Sequence, residues 1–348
     1  MSAAPDEVEG PLSGYHHETY VFRLPPETGV GQGGGRWKCR EPRDSLLWFD
    51  RRCFDSEERL LTELRGRIDN IPDLIEVEGT VLQRFIEGDT LGALHASGTT
   101  VPDEVFEQII TLFRQLVAVR PGALLVKRRC ESRDRAPEGD SAGFLDRLIC
   151  FTEERVYGDN LPEYGELFAG LTLDHDSFRQ LRKQVAGLRE RPFCLLHADL
   201  HRENLIVDRE RRLWAIDWEL AMFGDPLYDL ATHLYLMRYP PEQERRMTER
   251  WCALVESVRP GSAHGWREDL PKILDYKKAQ SVFTDVIRTS QSLRLGPRAD
   301  RTLLRRASRT LWDVLSRGAG PLGVEEVPGV SVIEAALTRW LRASAGSS

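Results

Sequence analysis

The sequence predicts an α+β protein of two lobes, a small β-rich N-lobe followed by a larger, mostly helical C-lobe, with the boundary between residues 87 and 88. Three observations carry this. Before residue 87 the chain is rich in short aromatic and β-branched runs. After Gly88 apolar residues recur at helical spacing. Between residues 195 and 219 short apolar runs bracket a polar loop and a charged turn.

Residues 15–24, YHHETYVFRL, alternate loosely and fit a strand hairpin. Gly29, Gly31, Gly33, Gly34 and Gly35 follow as a turn, and residues 36–40 then form the next strand, with Lys38 in it. Ser56 before Glu57 and Glu58 reads as a helix start, with Leu60, Leu61, Leu64 and Ile68 as its apolar face. Residues 81–86 read as a further strand that ends at Glu87-Gly88-Asp89. In the C-lobe, Val105, Phe106, Ile109, Ile110, Phe113, Leu116 and Val117 make one helical stripe headed by Pro102 and Asp103. Residues 127–141 hold five basic and four acidic side chains, a balance that fits a solvated loop and not a nucleic-acid patch. Later stripes run through Met247, Trp251, Leu254, Val255 and Val258, through Val282, Phe283, Val286, Ile287 and Leu293, and through Leu304, Ala307, Leu311, Trp312 and Leu315. Trp251 and Trp312 are expected in the core, and residues 343–348 are expected to fray.

The 348 residues carry 48 basic and 55 acidic side chains, a net charge of −7, which removes the uniform attraction to phosphate backbones and sets nucleic acid aside as a partner. The first ten residues carry Asp6, Glu7 and Glu9 without an apolar core, and nowhere do about 18 apolar residues run together. A cytoplasmic protein with no membrane partner is therefore expected. Cys39, Cys53, Cys130, Cys150, Cys194 and Cys252 show no C-x-x-C pair, so free thiols are expected and no zinc site. All but six of the 48 basic residues are arginine, so each retained lysine is informative.

The stretch that carries chemistry is residues 195–207, LLHADLHRENLIV, followed by residues 213–219, LWAIDWE. It reads as strand, polar loop, strand, charged turn and strand. Asp199 and Asn204 sit on one excursion, and Asp217 arrives at a strand end. Phosphoryl transfer needs such a trio: one carboxylate to orient a hydroxyl and accept its proton, and a carboxylate with an amide to hold Mg²⁺ on a triphosphate.

The order H-x-D-x4-N, then Ile216-Asp217-Trp218-Glu219, then Gly224-Asp225-Pro226-Leu227-Tyr228-Asp229-Leu230-Ala231 resembles the aminoglycoside phosphotransferase and choline kinase family, which has a protein-kinase-like fold. The resemblance is specific over residues 195–231, weaker over residues 14–88, and does not extend past Arg238. It implies Asp199 as catalytic base, Asn204 and Asp217 as ligands of Mg²⁺, and His197 and Asp229 as braces of the loop. Protein kinases read H-R-D, D-F-G and A-P-E where this chain has His197-Ala198-Asp199, Asp217-Trp218-Glu219 and no A-P-E, which favours a small-molecule acceptor. His201 follows the base by two residues, either near the γ-phosphate or as a structural hydrogen-bonding group.

A nucleotide lobe of this kind supplies a strand lysine and a helix glutamate. Lys38 is the only lysine before residue 127, and its compact ammonium suits the α- and β-phosphates. Glu57 stands in the family's register for the glutamate, with Glu58 as its rival and an exposed helix-start charge as the plain alternative for both. Residues 29–34 satisfy G-x-G-x-x-G, yet no helix opens after Gly34 and G-K-[ST] is missing, so both the Rossmann and the P-loop readings fail. The phosphate-covering loop is placed instead at Gly14-Tyr15-His16-His17-Glu18, with His16, His17 and Glu18 as lining residues. Residues 81–91 resemble the family's hinge, which implies that the backbone around Arg84 and Ile86 meets the adenine edge.

The function expected is ATP- and Mg²⁺-dependent phosphorylation of a hydroxyl on a small molecule, with GTP as an alternative donor and an antibiotic of the aminoglycoside, nucleoside or peptide type as first acceptor class, a resistance or self-protection step. A housekeeping kinase for choline, a sugar or an amino alcohol is the second reading. A catalytically silent kinase-fold module is the third, and the presence of Lys38, Asp199, Asn204 and Asp217 together argues against it. The acceptor is expected against helices between residues 130–180 and 270–295, with Asp275, Tyr276 and Asp285 as contact candidates.

Overall fold

The computed structural model describes residues 8–13, 17–24, 35–42, 51–295 and 301–346. The chain divides into two compact units. The first holds the described residues before residue 48 together with Arg52–Ser132 and Pro192–Ala263; the second holds Arg51, Arg133–Arg191 and the described residues from His264 onward.

The first unit opens with a five-stranded antiparallel sheet in the order β1-β2-β3-β5-β4, from β1 (Val8–Ser13), β2 (His17–Arg23), β3 (Arg36–Pro42), β4 (Leu74–Val77) and β5 (Thr80–Arg84). In register, Lys38 of β3 stands opposite Val21 of β2 and Gln83 of β5, while Arg40 stands opposite Thr19. Strand side chains alternate, so Lys38 and Arg40 leave β3 on one face. Between β3 and β4 lies helix α1 (Glu57–Leu64), which starts where expected because the Ser56 hydroxyl accepts the Arg59 N–H at 3.1 Å. Leu60, Leu61 and Leu64 are buried beneath it.

Beyond β6 (Asp89–Thr90) and the short α2 (Leu91–Leu94), helix α3 (Asp103–Ala118) buries the predicted stripe from Val105 to Val117. Strand β7 (Cys194–Leu196) pairs with β10 (Met222–Gly224), and β8 (Leu205–Val207) lies between β6 and β9 (Leu213–Ala215). Helices α7 (Pro226–Met237) and α8 (Pro241–Val258) complete the unit, and Trp251 is buried in it as expected.

The second unit is helical: α4 (Ser141–Phe151) running into a π-helical stretch (Thr152–Tyr157), α5 (Leu161–Gly170), α6 (His175–Gln184), α9 (Trp266–Leu295), α10 (Arg301–Leu322) and α11 (Val330–Gly346). Its core stacks Phe178 on Phe283 at 4.5 Å and Tyr164 on Trp340 at 5.3 Å between ring centroids.

Several expectations are corrected. Within residues 15–24, expected as a hairpin, residues 17–23 form one strand that pairs with β1; β1 and β4 carry no sequence signal of their own, and the Gly10 and Pro11 that hide the β1 pattern are tolerated because it is an edge strand. Ile68 is buried, but from a turn after α1 has ended at Leu64. Trp312 is 41% exposed: α10 buries Ala307, Leu311, Val314 and Leu315, and the residue next to Leu311 points off that stripe. The C-terminal helix runs through Gly346, and residues 347–348 of the segment expected to fray lie outside the described residues. The glycine-rich residues 25–34 and residues 14–16 of the proposed phosphate-covering loop lie outside the described residues, as does the side chain of His17, whose backbone begins β2. All six cysteines are free thiols, and no described helix is long and apolar enough to cross a membrane.

Candidate active site

Asp199 and Asn204 sit on the excursion between β7 and β8. Asn204 Nδ2 donates to Asp199 twice, to the backbone oxygen at 2.9 Å and to Oδ2 at 3.0 Å. The amide is thereby oriented, and its Oδ1 is the atom left for another partner. Asp199 Oδ2 also lies 3.4 Å from His201 Nε2, while the rest of the carboxylate stays accessible at 30% exposure. His201 Nδ1 accepts the Glu203 N–H at 3.2 Å, so in the neutral ring the proton sits on Nε2, facing Asp199. Burial pulls the His201 pKa down, but the bond to Asp199 and the charges of Asp199, Asp217 and Glu203 outweigh it, and the net shift is upward.

The loop is anchored from several sides. The Asp229 carboxylate, on α7, accepts the His197 N–H at 3.1 Å and the Ala198 N–H at 2.8 Å. His197 donates from Nε2 to the Ile216 carbonyl at 3.1 Å, and its pKa is lowered chiefly by complete burial, which keeps the ring neutral. The buried Arg202 donates to the carbonyls of Met237, His95 and Thr99 at 3.0, 2.9 and 2.8 Å, which no sequence motif announced. Ala198 takes φ 65° and Asp217 φ 66°, left-handed values that cost a non-glycine residue about 1 kcal/mol or more and persist only where the surroundings impose them.

Asp217 follows β9, and the Ile216 N–H bonds the Asn204 carbonyl at 3.0 Å, which ties the amide-bearing turn to the segment just before Asp217. Of the two candidate helix glutamates, Glu57 is buried and its Oε1 accepts the Trp218 N–H at 3.0 Å, whereas Glu58 accepts from the Ser56 hydroxyl at 2.6 Å. Glu57 is paired with Arg40, at 2.5 Å, and Arg40 also reaches Asp217 Oδ1 at 3.4 Å. Sequence reasoning missed Arg40; its position two residues beyond Lys38 on the same strand face was the available signal. Lys38 is 8% exposed and makes no hydrogen bond or ion pair to a described residue; burial first, and then the charge of Arg40, lower its pKa to about 8 against the pull of Glu57, Asp217 and Glu58.

Next to the segment after β5 lies a cavity of about 420 Å³ whose lining includes Arg36, Arg84, Ile86, Glu87, Arg212 and Trp214. The Ile86 N–H has no backbone acceptor among the described residues, whereas the Arg84 N–H is committed to Asp73 O at 2.8 Å. Gly88 closes this segment at φ 153°, where a Cβ would collide with the Val207 carbonyl oxygen, so only glycine lets the chain pass that close to β8.

Asn204 and Asp217 offer one amide and one carboxylate oxygen. Mg²⁺ is typically bound by one or two such oxygens, with water and phosphate completing its shell. Among the described residues no group of three His, Cys, Asp or Glu side chains could hold a metal ion, so a protein cage of the zinc type has no donors there. The donor types of the two side chains are those that Mg²⁺ takes.

The sheet-rich N-terminal region, with the pinned Asp199–Asn204 loop and Asp217 after β9, has the protein-kinase-like fold of small-molecule kinases. A family model described as the phosphotransferase enzyme family matches residues 8–263, and the chain belongs to that family. Two solved structures share the fold. One, a choline/ethanolamine kinase family protein from Mesorhizobium loti, is 17% identical, with 95% of this chain and 92% of that one covered at a TM-score of 0.50. The other, from Ralstonia eutropha and named for the aminoglycoside phosphotransferases, is 14% identical, with 96% and 92% covered at 0.54.

Proposed function

We propose that the protein transfers the γ-phosphoryl group of ATP to a hydroxyl of a small molecule, with an antibiotic as the first acceptor class and resistance or self-protection as its outcome. The observation that carries this is the carboxylate of Asp199, held on one oxygen by Asn204 and left accessible for a hydroxyl. Asp199 orients that hydroxyl in line with the phosphorus and takes its proton late, since the transition state is loose and the nucleophile hardly deprotonated when the bond to the leaving group breaks. Asn204 and Asp217 would hold Mg²⁺, which when bound neutralises charge on the triphosphate. Lys38 supplies a compact cation for the α- and β-phosphates, and the cavity beside Ile86 takes the base, with the Ile86 N–H as donor. His197 and Asp229 keep the loop in place without touching substrate. On this reading residues 1–87 form the nucleotide-binding N-lobe, and the part after residue 87 holds the catalytic loop of residues 195–231 together with the acceptor-binding helices. Tyr276 is no acceptor contact on this reading, because it is fully buried with its hydroxyl 3.5 Å from that of Thr152.

The test is ADP release against a panel of hydroxylated antibiotics with choline, sugars and amino alcohols beside them, ATP and GTP each offered as donor. A productive acceptor identifies the class; a wild type that turns over none of them and binds no nucleotide contradicts the reading. Asp199→Asn is the control. General-base groups contribute about 10²- to 10⁴-fold, so kcat should fall by that factor while nucleotide affinity changes by less than about tenfold. Normal turnover by Asp199→Asn would remove Asp199 from the mechanism.

A further inference from the structure

Two guanidinium–aromatic stacks border the cavity beside Ile86. From β3, the Arg36 guanidinium carbon lies 4.5 Å from the centroid of the Phe85 ring; from the turn between β8 and β9, that of Arg212 lies 5.6 Å from the Trp214 ring. The two are held differently. Arg212 is bonded to Asp208 and Glu210, acids of its own turn. Arg36 is clamped by two separate segments. Its Nε and Nη2 donate to the two Glu87 oxygens at 2.7 and 2.8 Å, and its Nη1 donates to Glu9 of β1 at 2.6 Å. All three nitrogens are therefore engaged along the edge of the guanidinium, where its N–H groups point, while 21% of the side chain stays accessible. One flat face covers Phe85, so the surface that Arg36 gives to the cavity is its other flat face.

We propose that Arg36 is the base-stacking residue of the nucleotide site, its open face lying on the purine ring of the donor and its plane fixed by Glu87 and Glu9. The inference deepens the phosphotransfer reading and rests on it, since it names what holds the base in the cavity assigned to it. Nucleobases stack on guanidinium planes as they do on aromatic rings, and a plane already fixed by three hydrogen bonds loses little freedom when a base settles on it. With two carboxylates on one guanidinium the charge of the group is compensated, so the base meets a flat surface more than a cation. A stack responds to ring area and not to the pattern of donors and acceptors on the ring edge. Arg36 therefore favours purine over pyrimidine nucleotides without separating ATP from GTP.

The experiment is calorimetry of Mg·ATP, Mg·GTP and Mg·CTP binding to the full chain without acceptor, which needs no turnover, with thermal melts to confirm folding. The wild type should bind both purine nucleotides more tightly than CTP. Arg36→Ala should weaken ATP and GTP alike by about 5- to 100-fold, the range that a lost base stack gives. Arg36→Phe restores a flat face without charge, and purine affinity should return to within about threefold of wild type. Arg36→Lys keeps a cation for Glu87 but has no plane, and should stay as weak as Arg36→Ala. The reverse order, with the Lys variant recovered and the Phe variant not, would reduce Arg36 to an ion-pair partner of the two glutamates and overturns the proposal. Unchanged purine binding in Arg36→Ala overturns it as well. Should Arg36→Ala not fold, the other two variants decide: tighter purine binding in Arg36→Phe supports the proposal, tighter binding in Arg36→Lys overturns it. A wild type that binds no nucleotide instead contradicts the phosphotransfer reading itself, an outcome distinct from any order among the variants.

Discussion

Lys38 is held in surroundings that disfavour its charge, with burial as the largest cause and the Arg40 guanidinium next, and its pKa is lowered from the ordinary lysine value to about 8. The sign follows directly. Below pH 8 the ammonium is charged in the free protein and ready for phosphates. Between pH 8 and the value it takes once phosphate is bound, each nucleotide that binds must also bring a proton. Nucleotide affinity should therefore be nearly flat from pH 6.5 to 7.5 and fall by up to about tenfold per pH unit above 8. Lys38→Arg stays charged throughout, so its affinity should be lower at neutral pH but without that slope. Calorimetric titrations of Mg·ATP across the range check both, and a sloping profile in Lys38→Arg would place the titrating group elsewhere.

At the scale of elements, the parts that were legible in the sequence are those whose signal is local. Ser56 caps α1, Pro102 precedes α3, and the strand-loop-strand run that carries Asp199 and Asn204 lies where its apolar flanks require. What was illegible depends on contacts distant in sequence. Arg40 and Glu57 are 17 residues apart and Arg40 and Asp217 177 apart, so only its place two residues beyond Lys38 on one strand set this arginine apart from its many neighbours. The same holds for the face on which Trp312 falls and for the burial of Tyr276. Helix α7 shows how such distant contacts act on the site. From it, His233 bonds the Leu200 carbonyl at 2.8 Å through Nδ1 and the Tyr239 hydroxyl at 3.0 Å through Nε2. Burial, the largest cause, lowers the His233 pKa to about 4. Its contribution to stability is fully present above the unfolded value near 6.5 and is lost as pH falls from there to about 4, at most roughly 3 kcal/mol. Denaturant midpoints should fall over that window, and His233→Gln should flatten the fall; an equally steep loss in the variant would assign the acid sensitivity to other groups.

Across the whole molecule, the groups proposed for phosphoryl transfer all belong to the first unit, whereas the second buries an ion pair of its own. Arg191 and Asp269 meet at 2.7 Å with side chains 0% and 1% exposed, and Asp269 Oδ2 also accepts the Arg189 N–H at 2.8 Å. Arg191 further donates to the His264 carbonyl at 2.7 Å, so the guanidinium draws together the segment before residue 192 and the start of the long helix α9. Such a pair adds little over well-packed apolar residues, yet breaking it from one side strands a buried charge and costs about 3–5 kcal/mol, a large share of a typical folding free energy of about 5–15 kcal/mol. Asp269→Asn removes the compensating charge and keeps the shape, so chemical denaturation should show a loss of that size. Under conditions where the variant is still folded, Mg·ATP affinity should match wild type within about twofold, because no group of the nucleotide site has been touched. Wild-type stability in Asp269→Asn would mean that Arg191 finds other acceptors at no cost. A large change in nucleotide affinity without loss of fold would instead reveal coupling between the helical unit and the phosphate site, and would move Asp269 from architecture into function.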